Sequence, residues 1–369
     1  MVWTPPPDYG IDVPELEVLY NRLTREGAKM KIKAIGLDLA KSVFQVHAVD
    51  EQEQVVLRRQ LKRSQVLAFF ARLQPCLVGM EACASANHWA RQLEGLGHDV
   101  RLIAPKFVKP YVKNNKNDQR DAEAICEALL RPSMRFVAIK SEEQQAVLVL
   151  HGLRQGLIDA RTALVNGLRG HLAEFGVVVP VGRRHFEQAL PGLIQDSADK
   201  LPSLVREVLE PMRCHLLELN GQIAQLDRRI GAWHAQSEAS RRIAEVPGVG
   251  VLSATAVLAS IGDAKVFDSG RGFAAWLGIT PGEHSSGGKQ RLLGITKRGD
   301  KRLRTLLIHG ARSVIRAHRS GSDPWLDGLL ARRPKNVAVV ALAHRNARII
   351  WALLARGERY EPRRAVAAI

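Results

Sequence analysis

Four acidic residues occupy positions from which they could act together on a metal ion: Asp38, Glu81, Asp118 and Asp121. Asp38 and Glu81 each end a predicted strand, while Asp118 and Asp121 share one face at the start of a predicted helix. If the two strands are neighbours, their terminal carboxylates lie side by side, and clustered carboxylates repel one another unless a cation sits among them. Oxygen ligands suit Mg²⁺ or Mn²⁺, the ions of phosphodiester chemistry. Taken singly, Asp118 could serve only as a helix cap and Asp121 only as a partner of the helix dipole.

The segment His284–Lys289 contains two adjacent serines, Ser285 and Ser286, followed by two glycines. Such a composition is, by itself, typical of a flexible loop. This one directly precedes the most basic run of the chain, and a serine hydroxyl can attack a phosphodiester that cations hold in place. Both serines are therefore candidate nucleophiles, and the residues alone do not choose between them.

Two further features favour phosphate binding. The segment Val246–Gly250 is a tight turn between two predicted helices, and it resembles a helix–hairpin–helix turn, whose amides hold DNA phosphates at Gly248 and Gly250. Turns of this composition also join ordinary helices. The run from Arg291 to Arg304 has six Lys and Arg against a single acid. The candidate phosphate-binding side chains are Lys289, Arg291, Lys297, Arg298, Lys301, Arg302 and Arg304.

The positive charge of the chain is concentrated in its last third. The 369 residues include 54 Lys and Arg and 37 Asp and Glu, a net charge of +17. From Arg241 onward, 23 basic residues stand against 9 acidic ones, so this part alone carries +14. A solvated basic surface would explain some excess, but so large an asymmetry favours a polyanionic partner, above all nucleic acid.

Composition argues against several other classes of protein. No apolar run reaches about 18 residues, so no membrane-spanning helix is expected. The N-terminal residues lack the basic and apolar regions of a secretory signal. The cysteines form no CxxC pair, which argues against a zinc knuckle or a disulfide scaffold and favours the reducing cytoplasm. They are Cys76, Cys83, Cys126 and Cys214.

The pattern up to about residue 142 is that of strands alternating with helices, which predicts a mixed sheet with helices packed on it. The predicted strands are Lys31–Leu39, Val43–Val49, Gln54–Leu61, Cys76–Met80, Asp99–Ile103 and Arg135–Ile139. The predicted helices are Ser64–Leu73, His88–Leu96 and Asp118–Leu130, with a peripheral helix over Glu15–Arg25 in the N-terminal extension.

Residues 143–240 have a helical pattern instead. Leucines recur at steps of three or four from Leu153 to Leu172, and a heptad pattern runs from Leu216 to Trp233. This predicts an antiparallel helical arm or a dimerising coiled coil, with a plain two-helix piece of a globular core as the alternative. Farther on, helices are expected over Lys301–Arg319 and Val337–Arg356, after a glycine- and serine-rich loop at Thr280–Lys289.

Two separate sets of motifs resemble the IS110/IS116/IS902 family of transposases. The acids lie in Gly36–Lys41, Gly79–Ala82 and Asn117–Ala122, which resemble the DEDD motifs of its N-terminal domain. The stretch from Trp276 through Ser286-Gly287 to Asp300 resembles its C-terminal transposase domain. The resemblance runs from about Ile35 to Ile315, and the four acids show no departure from the pattern.

The resemblance implies the fold and the chemistry. It implies a RuvC-like, RNase H-type α/β domain at 31–142, a coiled-coil arm at 143–240 and a mainly α-helical basic domain at 241–345, flanked by an extension (1–30) and a C-terminal helix and tail (346–369). The four acids would bind the divalent metal, Mg²⁺ or Mn²⁺. The family's Ser-Gly pattern favours Ser286 as nucleophile over Ser285. No ATP motif is needed, since a phosphoserine link conserves the energy of the broken bond.

The expected partners are double-stranded donor and target DNA, an element-encoded guide RNA that the resemblance implies, and further copies of the chain. The distance in sequence between acids and serine suggests a dimer, or a tetramer on DNA, with composite sites. A bacterial cytoplasmic protein associated with the nucleoid is expected. Two alternatives remain: a metal-dependent junction nuclease that forms no covalent intermediate, and an inactive nucleic-acid-binding descendant of a transposase.

Overall fold

The computed structural model describes residues 31–113, 118–196 and 201–361. The chain divides into two compact units, one ending at Ile139 and the other beginning at Lys140. This division falls close to the boundary predicted at residue 142. The helix predicted over Glu15–Arg25 lies outside the described residues.

The first unit is built on a six-stranded mixed sheet with the strand order β3-β2-β1-β4-β5-β6. Strands β1, β2 and β3 form an antiparallel meander, β4 and β5 run parallel to β1, and β6 is antiparallel to β5. The strands are β1 (Ala34–Leu39), β2 (Val43–Val49), β3 (Val55–Lys62), β4 (Leu77–Glu81), β5 (Asp99–Ile103) and β6 (Phe136–Val137). The helices of this unit are α1 (Val66–Phe70), α2 (Ala86–Gly95), α3 (Pro105–Val108) and α4 (Asp118–Leu129).

These elements confirm the predicted mixed α/β arrangement, in which the first and fourth strands are neighbours. Alternation of apolar residues locates the strands to within a few residues. The helix predicted over Ser64–Leu73 is shorter than expected, with a 3₁₀ turn at Arg63–Gln65 before α1. Helix α3 was not predicted, because its four residues are too few to show a helical period.

Helices cover both faces of the sheet. On one face, Phe44, Phe70, Trp89 and Leu93 are buried in a core that includes residues of α1 and α2. On the other face, Ile125 and its neighbours on α4 are buried with residues from the ends of β1, β2 and β5. The sheet is therefore held between two apolar layers, which fixes the positions of its strand ends.

The second unit begins with a long antiparallel helical pair, α5 (Glu142–Ala173) and α7 (Ser203–Gln236), joined through α6 (Arg183–Asp196). The heptad positions predicted on α7 are confirmed, since Leu216, Leu219, Ile223 and Ile230 are all buried. The face predicted for α5 is wrong at its start. Leu153 is 57% exposed, while Val147, His151, Val165 and Leu172 are buried.

The reason for this shift is that polar pairs occupy part of the interface between α5 and α7. Arg154 donates to Asp227 over 2.5 Å, and Arg161 donates to Asn220 over 2.8 Å. The apolar period therefore gives no sign of these polar residues, although Leu164, Leu168 and Leu172 of the predicted face do pack in the apolar core that includes Leu209 and Leu216 of α7. The pairing order, with Glu143 bonded to Trp233, confirms that the two helices are antiparallel.

The rest of the second unit is mainly helical around one apolar core that includes Ile243, Val257, Phe273, Leu307 and Ala343. Its helices are α8 (Glu238–Ala244), α9 (Val251–Ile261), α10 (Gly270–Trp276), α11 (Lys301–Ala317), α12 (Pro324–Arg332) and α13 (Lys335–Arg356). The prediction missed α6, α10 and α12. Helix α13 is continuous through residue 346, so the division predicted there falls inside one helix.

A β-hairpin replaces the loop predicted at Thr280–Lys289. Its strands are β7 (Pro281–Glu283) and β8 (Leu292–Ile295), paired antiparallel. The sequence gives little sign of it, since the strands are short and Leu292 and Leu293 are both largely exposed. No buried face imposes an alternation of apolar and polar residues.

Helix α13 is long and apolar enough to cross a membrane by length and composition. Its apolar side nevertheless belongs to the core of the second unit, where Leu342, Ala343 and Ile350 are buried. The same helix carries Asn346, which donates to the Pro247 carbonyl, and Arg345, which pairs with Asp323. These contacts identify α13 as a core helix.

We expect Gly36→Ala to lower the free energy of unfolding by at least about 2 kcal/mol, because a Cβ there would lie 2.1 Å from the Ala122 carbonyl oxygen of α4. A urea titration measures the change. The matched control is Gly167→Ala on α5, where a Cβ meets only open space, and it should be neutral or stabilising by up to about 1 kcal/mol. Equal effects of the two substitutions would contradict the close packing of α4 on β1.

His151 makes the stability depend on pH. It is buried against Thr255, and burial, followed by the charges of Arg302 and Arg154, lowers its pKa from 6.5 to about 4. The folded state resists protonation of His151. The contribution of the neutral imidazole to the free energy of unfolding is therefore complete above pH 6.5 and is lost as the pH falls toward 4, by up to about 3 kcal/mol. Thermal or urea unfolding across this range should show the loss, and His151→Gln should flatten it. A variant with an unchanged slope would show that other groups are responsible.

Candidate functional site

The parallel pairing of β1 and β4 places two of the predicted acids next to each other. The last paired residues are Leu37 and Met80, and Asp38 and Glu81 each follow by one position. Neighbouring strands are about 4.8 Å apart, so the two carboxylates leave the sheet from adjacent positions at its carboxyl edge. Both residues are half-buried.

The pKa of a neighbouring thiol indicates the same proximity. Cys83 lies in the loop after β4, and its pKa is raised by burial, then by the negative charge of Glu81, then by that of Asp38. Both carboxylates thus act on one thiol. Cys83 was not predicted as part of this site, although it lies only two residues after Glu81 in the sequence.

Two glycines determine which face of the sheet the acids occupy. A Cβ at Gly36 would clash with the backbone of Ala122 and Cys126, and one at Gly79 would clash with Leu129, so α4 lies directly on β1 and β4. Residues two apart on a strand share a face. Asp38 and Glu81 therefore lie on the face covered by α4.

Helix α4 runs antiparallel to β1, since Cys126 lies near Ala34 and Ala122 lies over Gly36. Its N-terminal turn is therefore directed toward the edge where Asp38 lies. Asp121 is half-buried in that turn. Asp118 begins the helix, but its side chain is outside the described residues.

The structure thus brings Asp38 and Glu81 together and directs the start of α4 toward them. Among the described side chains, no group of three or more His, Cys, Asp or Glu residues is arranged to hold a metal. Asp121 is not gathered with the strand acids into such a group. The donors at this edge are carboxylate oxygens, and that chemistry fits a hard divalent cation such as Mg²⁺ or Mn²⁺.

The two candidate nucleophiles lie on the exposed hairpin of the second unit. Ser286 and Lys289 bridge each other across a two-residue turn formed by Gly287 and Gly288, whose φ angles are +56° and +76°. Positive φ at both central positions is the type I′ turn that suits a β-hairpin and favours glycine. The turn holds Ser286 at the tip of the hairpin, exposed to solvent.

The environments of the two serines differ. The Ser285 hydroxyl donates to Glu283 Oε1 over 2.6 Å and accepts from the Arg291 amide over 3.2 Å. In the described part of the chain, the Ser286 side chain makes no such hydrogen bond. Glu283 was not predicted as part of this site, although it lies only two residues before Ser285 in the sequence.

The glycine turn at Val246–Gly250 joins α8 and α9 as predicted. Gly248 has a φ of +86° and packs against Gly310 of α11 so closely that a Cβ on either residue would clash with the other's backbone. Gly250 precedes α9, is exposed and has no side chain to cap the helix, so it leaves the first amides of α9 available to an anion. The turn is therefore packed against α11 and half-buried at Gly248, and open at Gly250.

The predicted basic residues fall into two groups by exposure. The exposed ones lie on the hairpin, in the segment after it and at the first position of α11; they are Lys289, Arg291, Lys297, Arg298 and Lys301. Arg302 and Arg304 are half-buried. Arg304 donates to the carbonyls of Leu277 and Gly299, both over 3.2 Å, so part of its guanidinium is already used within the fold.

Two family models of transposases match this chain. A family model described as "Transposase IS116/IS110/IS902 family" matches residues 240–325, and a transposase model of the DEDD type matches residues 35–176. The first match covers the serine hairpin and the glycine turn, and the second covers all four acids.

Full-length relatives extend the similarity over most of the chain. A probable family 20 transposase of Pseudomonas aeruginosa is 55% identical, over 90% of this chain and 100% of its own length. The transposase of insertion sequence element IS1111A of Coxiella burnetii is 44% identical over 91% and 93%, and that of IS1328 of Yersinia enterocolitica is 39% identical over 88% and 98%. The chain therefore belongs to the IS110/IS116/IS902 family of transposases, enzymes that act on DNA.

Proposed function

We propose that this transposase cuts and exchanges DNA strands through a serine–phosphodiester intermediate, with the acids of a RuvC-like, RNase H-type domain supporting the attack. The observation that carries the proposal is the coexistence of two sites of complementary chemistry. One is the Asp38–Glu81 pair at the carboxyl edge of the sheet, and the other is an exposed serine at the tip of a basic hairpin. The acid pair would bind a metal but offers no nucleophile, and the hairpin offers a nucleophile but would need the metal of the acid site.

Asp38, Glu81, Asp118 and Asp121 are the residues that would hold the divalent cation, Mg²⁺ or Mn²⁺. When bound, such an ion supplies Lewis-acid stabilisation of the charge that develops on a phosphate. The half-burial of Asp38 and Glu81 beneath α4 limits the water around them and so strengthens electrostatic interactions at this edge.

Ser286 is the proposed nucleophile. Its Oγ would form a bond to phosphorus while the bond from phosphorus to the 3′ oxygen breaks; the Ser286 proton passes to a base or to water, and the leaving 3′ oxygen takes up a proton from water. The products are a phosphoserine link to one DNA end and a free 3′ hydroxyl on the other. Attack of another 3′ hydroxyl on this link would reverse the step and join new strands without net hydrolysis.

A specific observation favours Ser285 as the alternative. Its hydroxyl already donates to a carboxylate, and a nucleophile in hydrogen-bond contact with a base is a recurring arrangement. The same bond, together with the contact from the Arg291 amide, also holds Ser285 within the hairpin. We favour Ser286, because its hydroxyl is exposed at the turn and available to an incoming phosphate.

Exposed cations around the hairpin and the open start of α9 at Gly250 would hold the DNA backbone. The side chains proposed for this are Lys289, Arg291, Lys297, Arg298, Lys301 and Arg302, with Arg304 contributing only the part of its guanidinium that the fold leaves open. Gly248 would act by shaping the turn.

We further propose that the working enzyme is a dimer, or a tetramer on DNA, located in the bacterial cytoplasm at the nucleoid and guided by an element-encoded RNA. Exposed apolar side chains along the arm support self-association, among them Val149 and Leu153, each 57% exposed, and Leu204, 76% exposed. The strong positive charge supports nucleic-acid partners of either kind.

Covalent trapping tests the nucleophile. Protein, the element's junction DNA, its flanking noncoding RNA and Mg²⁺ are mixed and resolved on a denaturing gel. We expect a DNA–protein adduct with wild type and none with Ser286→Ala, because the attacking oxygen is gone. Ser285→Ala is the matched control and should keep the adduct. Loss with Ser285→Ala alone would reassign the nucleophile, and cleavage without any adduct would indicate a hydrolytic nuclease.

Charge removal at the sheet edge tests the acids. We expect Asp38→Asn to reduce strand cleavage by at least about 100-fold, since it removes a ligand charge while keeping the shape of the side chain. Asp99→Asn, at the opposite edge of the same sheet, is the control and should cleave normally. A second readout is the rise in unfolding temperature with Mn²⁺, which Asp38→Asn should diminish. Full activity of Asp38→Asn would refute the assignment.

A further inference from the structure

A row of polar residues crosses the sheet from Asp38, at the carboxyl edge (the acid edge), to β3, the outer strand. Asp38 on β1 is paired with Gln45 on β2, and Gln45 is paired with Gln60 on β3. Residues directly opposite each other on antiparallel strands share a face, so all three lie on the side covered by α4. Gln45 is only 8% exposed and donates to Gln60 over 3.2 Å.

Beside this row the sheet and α4 enclose a small cavity of about 50 Å³. Its polar lining comes from three elements, with Gln45 and His47 from β2, Arg58 and Gln60 from β3, and Gln119 from the first turn of α4. The intervening strand residues Val46 and Arg59 complete the lining. A polar cavity of this kind is not required by the core, which lies on either side of the sheet.

The outer strand continues this surface as an exposed stripe. Arg58, Gln60 and Lys62 alternate along β3 on the same face and are all exposed. Lys62 is paired with Val43, so it lies at the end of the sheet where Asp38 lies. Neighbouring members of the stripe are about 6.8 Å apart, since each residue of a strand advances about 3.4 Å.

The charges on this stripe are available to a ligand. Arg58 lies 3.9 Å from Glu123, with its side chain 60% exposed. Exposed ion pairs of this kind contribute about 0–1 kcal/mol, so a phosphate can compete for the guanidinium. Glutamine amides between the two cations can both donate to phosphate oxygens and accept from sugar or base groups.

We infer that Arg58, Gln60 and Lys62, with Gln45 and Gln119 beside them, form a binding track that holds the DNA strand leading to the acid edge. The inference rests on the proposed role of Asp38 for its functional meaning, but its binding surface is tested separately. The track would contact the sugar–phosphate backbone on the outer side of the acids, and so it positions the strand without taking part in the chemistry.

The same strand offers a matched control on its other face. The guanidinium of Arg59 lies over the Phe69 ring at 5.8 Å, and that of Arg63, just after β3, lies over the Trp89 ring at 5.0 Å. Both rings belong to the layer covered by α1 and α2. The pair Arg59 and Arg63 therefore carries the same charge as Arg58 and Lys62, close in sequence, on the opposite face.

The experiment compares two double variants of the full chain, Arg58→Gln/Lys62→Gln and Arg59→Gln/Arg63→Gln, each in an Asp38→Asn background so that no turnover occurs. Binding of labelled junction DNA, with the flanking noncoding RNA present, is measured by fluorescence anisotropy over a range of salt concentrations. The Arg58/Lys62 variant should bind more weakly. Its slope of the logarithm of the binding constant against the logarithm of salt concentration should be smaller in magnitude by about 1.8 for duplex DNA or about 1.4 for single-stranded DNA. The Arg59/Arg63 variant should keep the slope of the Asp38→Asn parent protein.

Gln60→Glu provides an independent variant, because it places a negative charge in the stripe at an exposed position that does not threaten folding. It should weaken binding, while Gln54→Glu, about 20 Å away just before the start of β3, should not. Thermal unfolding checks that all variants fold. Equal slopes for the two double variants would overturn the track. Reduced binding of the labelled RNA alone, with DNA binding unchanged, would overturn its assignment to DNA.

The two proposals fail in different ways. If Asp38→Asn alone leaves cleavage intact, the acid site is wrong, and the salt slopes still decide whether the stripe binds DNA. If Asp38→Asn abolishes cleavage and the two double variants bind alike, the acid site stands and the track is refuted. In otherwise wild-type protein, Arg58→Gln/Lys62→Gln should raise KM and leave kcat within about threefold, as expected for uniform binding.

Discussion

The close approach of α4 to the sheet is the contact on which the candidate metal site depends. Gly36 and Gly79 remove the side chains that would otherwise separate this helix from β1 and β4, and the helix backbone lies directly on the strands. Helices and sheets usually pack through side chains at larger spacing. Here the close contact directs the first turn of α4 toward the edge of the sheet where Asp38 and Glu81 lie. A larger residue at Gly36 would lift the helix away from β1.

The second unit also has close backbone contacts at glycines. Gly248 and Gly310 meet backbone to backbone, which fixes the glycine turn on α11. Gly278 and Gly299 also lie within a close backbone contact, and this contact closes the base of the serine hairpin between Leu277 and Asp300. The hairpin tip is exposed, but its two ends are held by packed backbone. Ser286 is thus held on a short, defined turn with its side chain exposed.

The sequence predicts an element of this structure well where a buried face requires apolar residues at a regular spacing, and poorly where no such face exists. The strands of the first unit have one or two buried faces, so their limits follow from the apolar pattern, and β2 was predicted without error. That Asp38 and Glu81 are neighbours was conditional on strand order, which no local pattern contains. The hairpin at β7 and β8 has no buried face and left no periodic signal. On α5 the interface is partly polar, with Arg154 and Arg161 facing α7, and the leucine pattern was wrong at Leu153, which is exposed.

The site residues, too, could be predicted only where the sequence itself carries a signal. Acids and serines are visible in the sequence because their types are unusual for their settings, whereas Cys83 and Glu283 became relevant only through contacts made by folding. The polar row from Asp38 to Gln60 is a still clearer case. Its residues lie on three strands, and ordinary glutamines give no signal until the strand register places them in line with an acid. Burial of the Gln45 amide carries a desolvation cost, which its hydrogen bond to the exposed Gln60 offsets. In the binding track proposed above, this bond would hold the Gln60 side chain in place for an incoming strand.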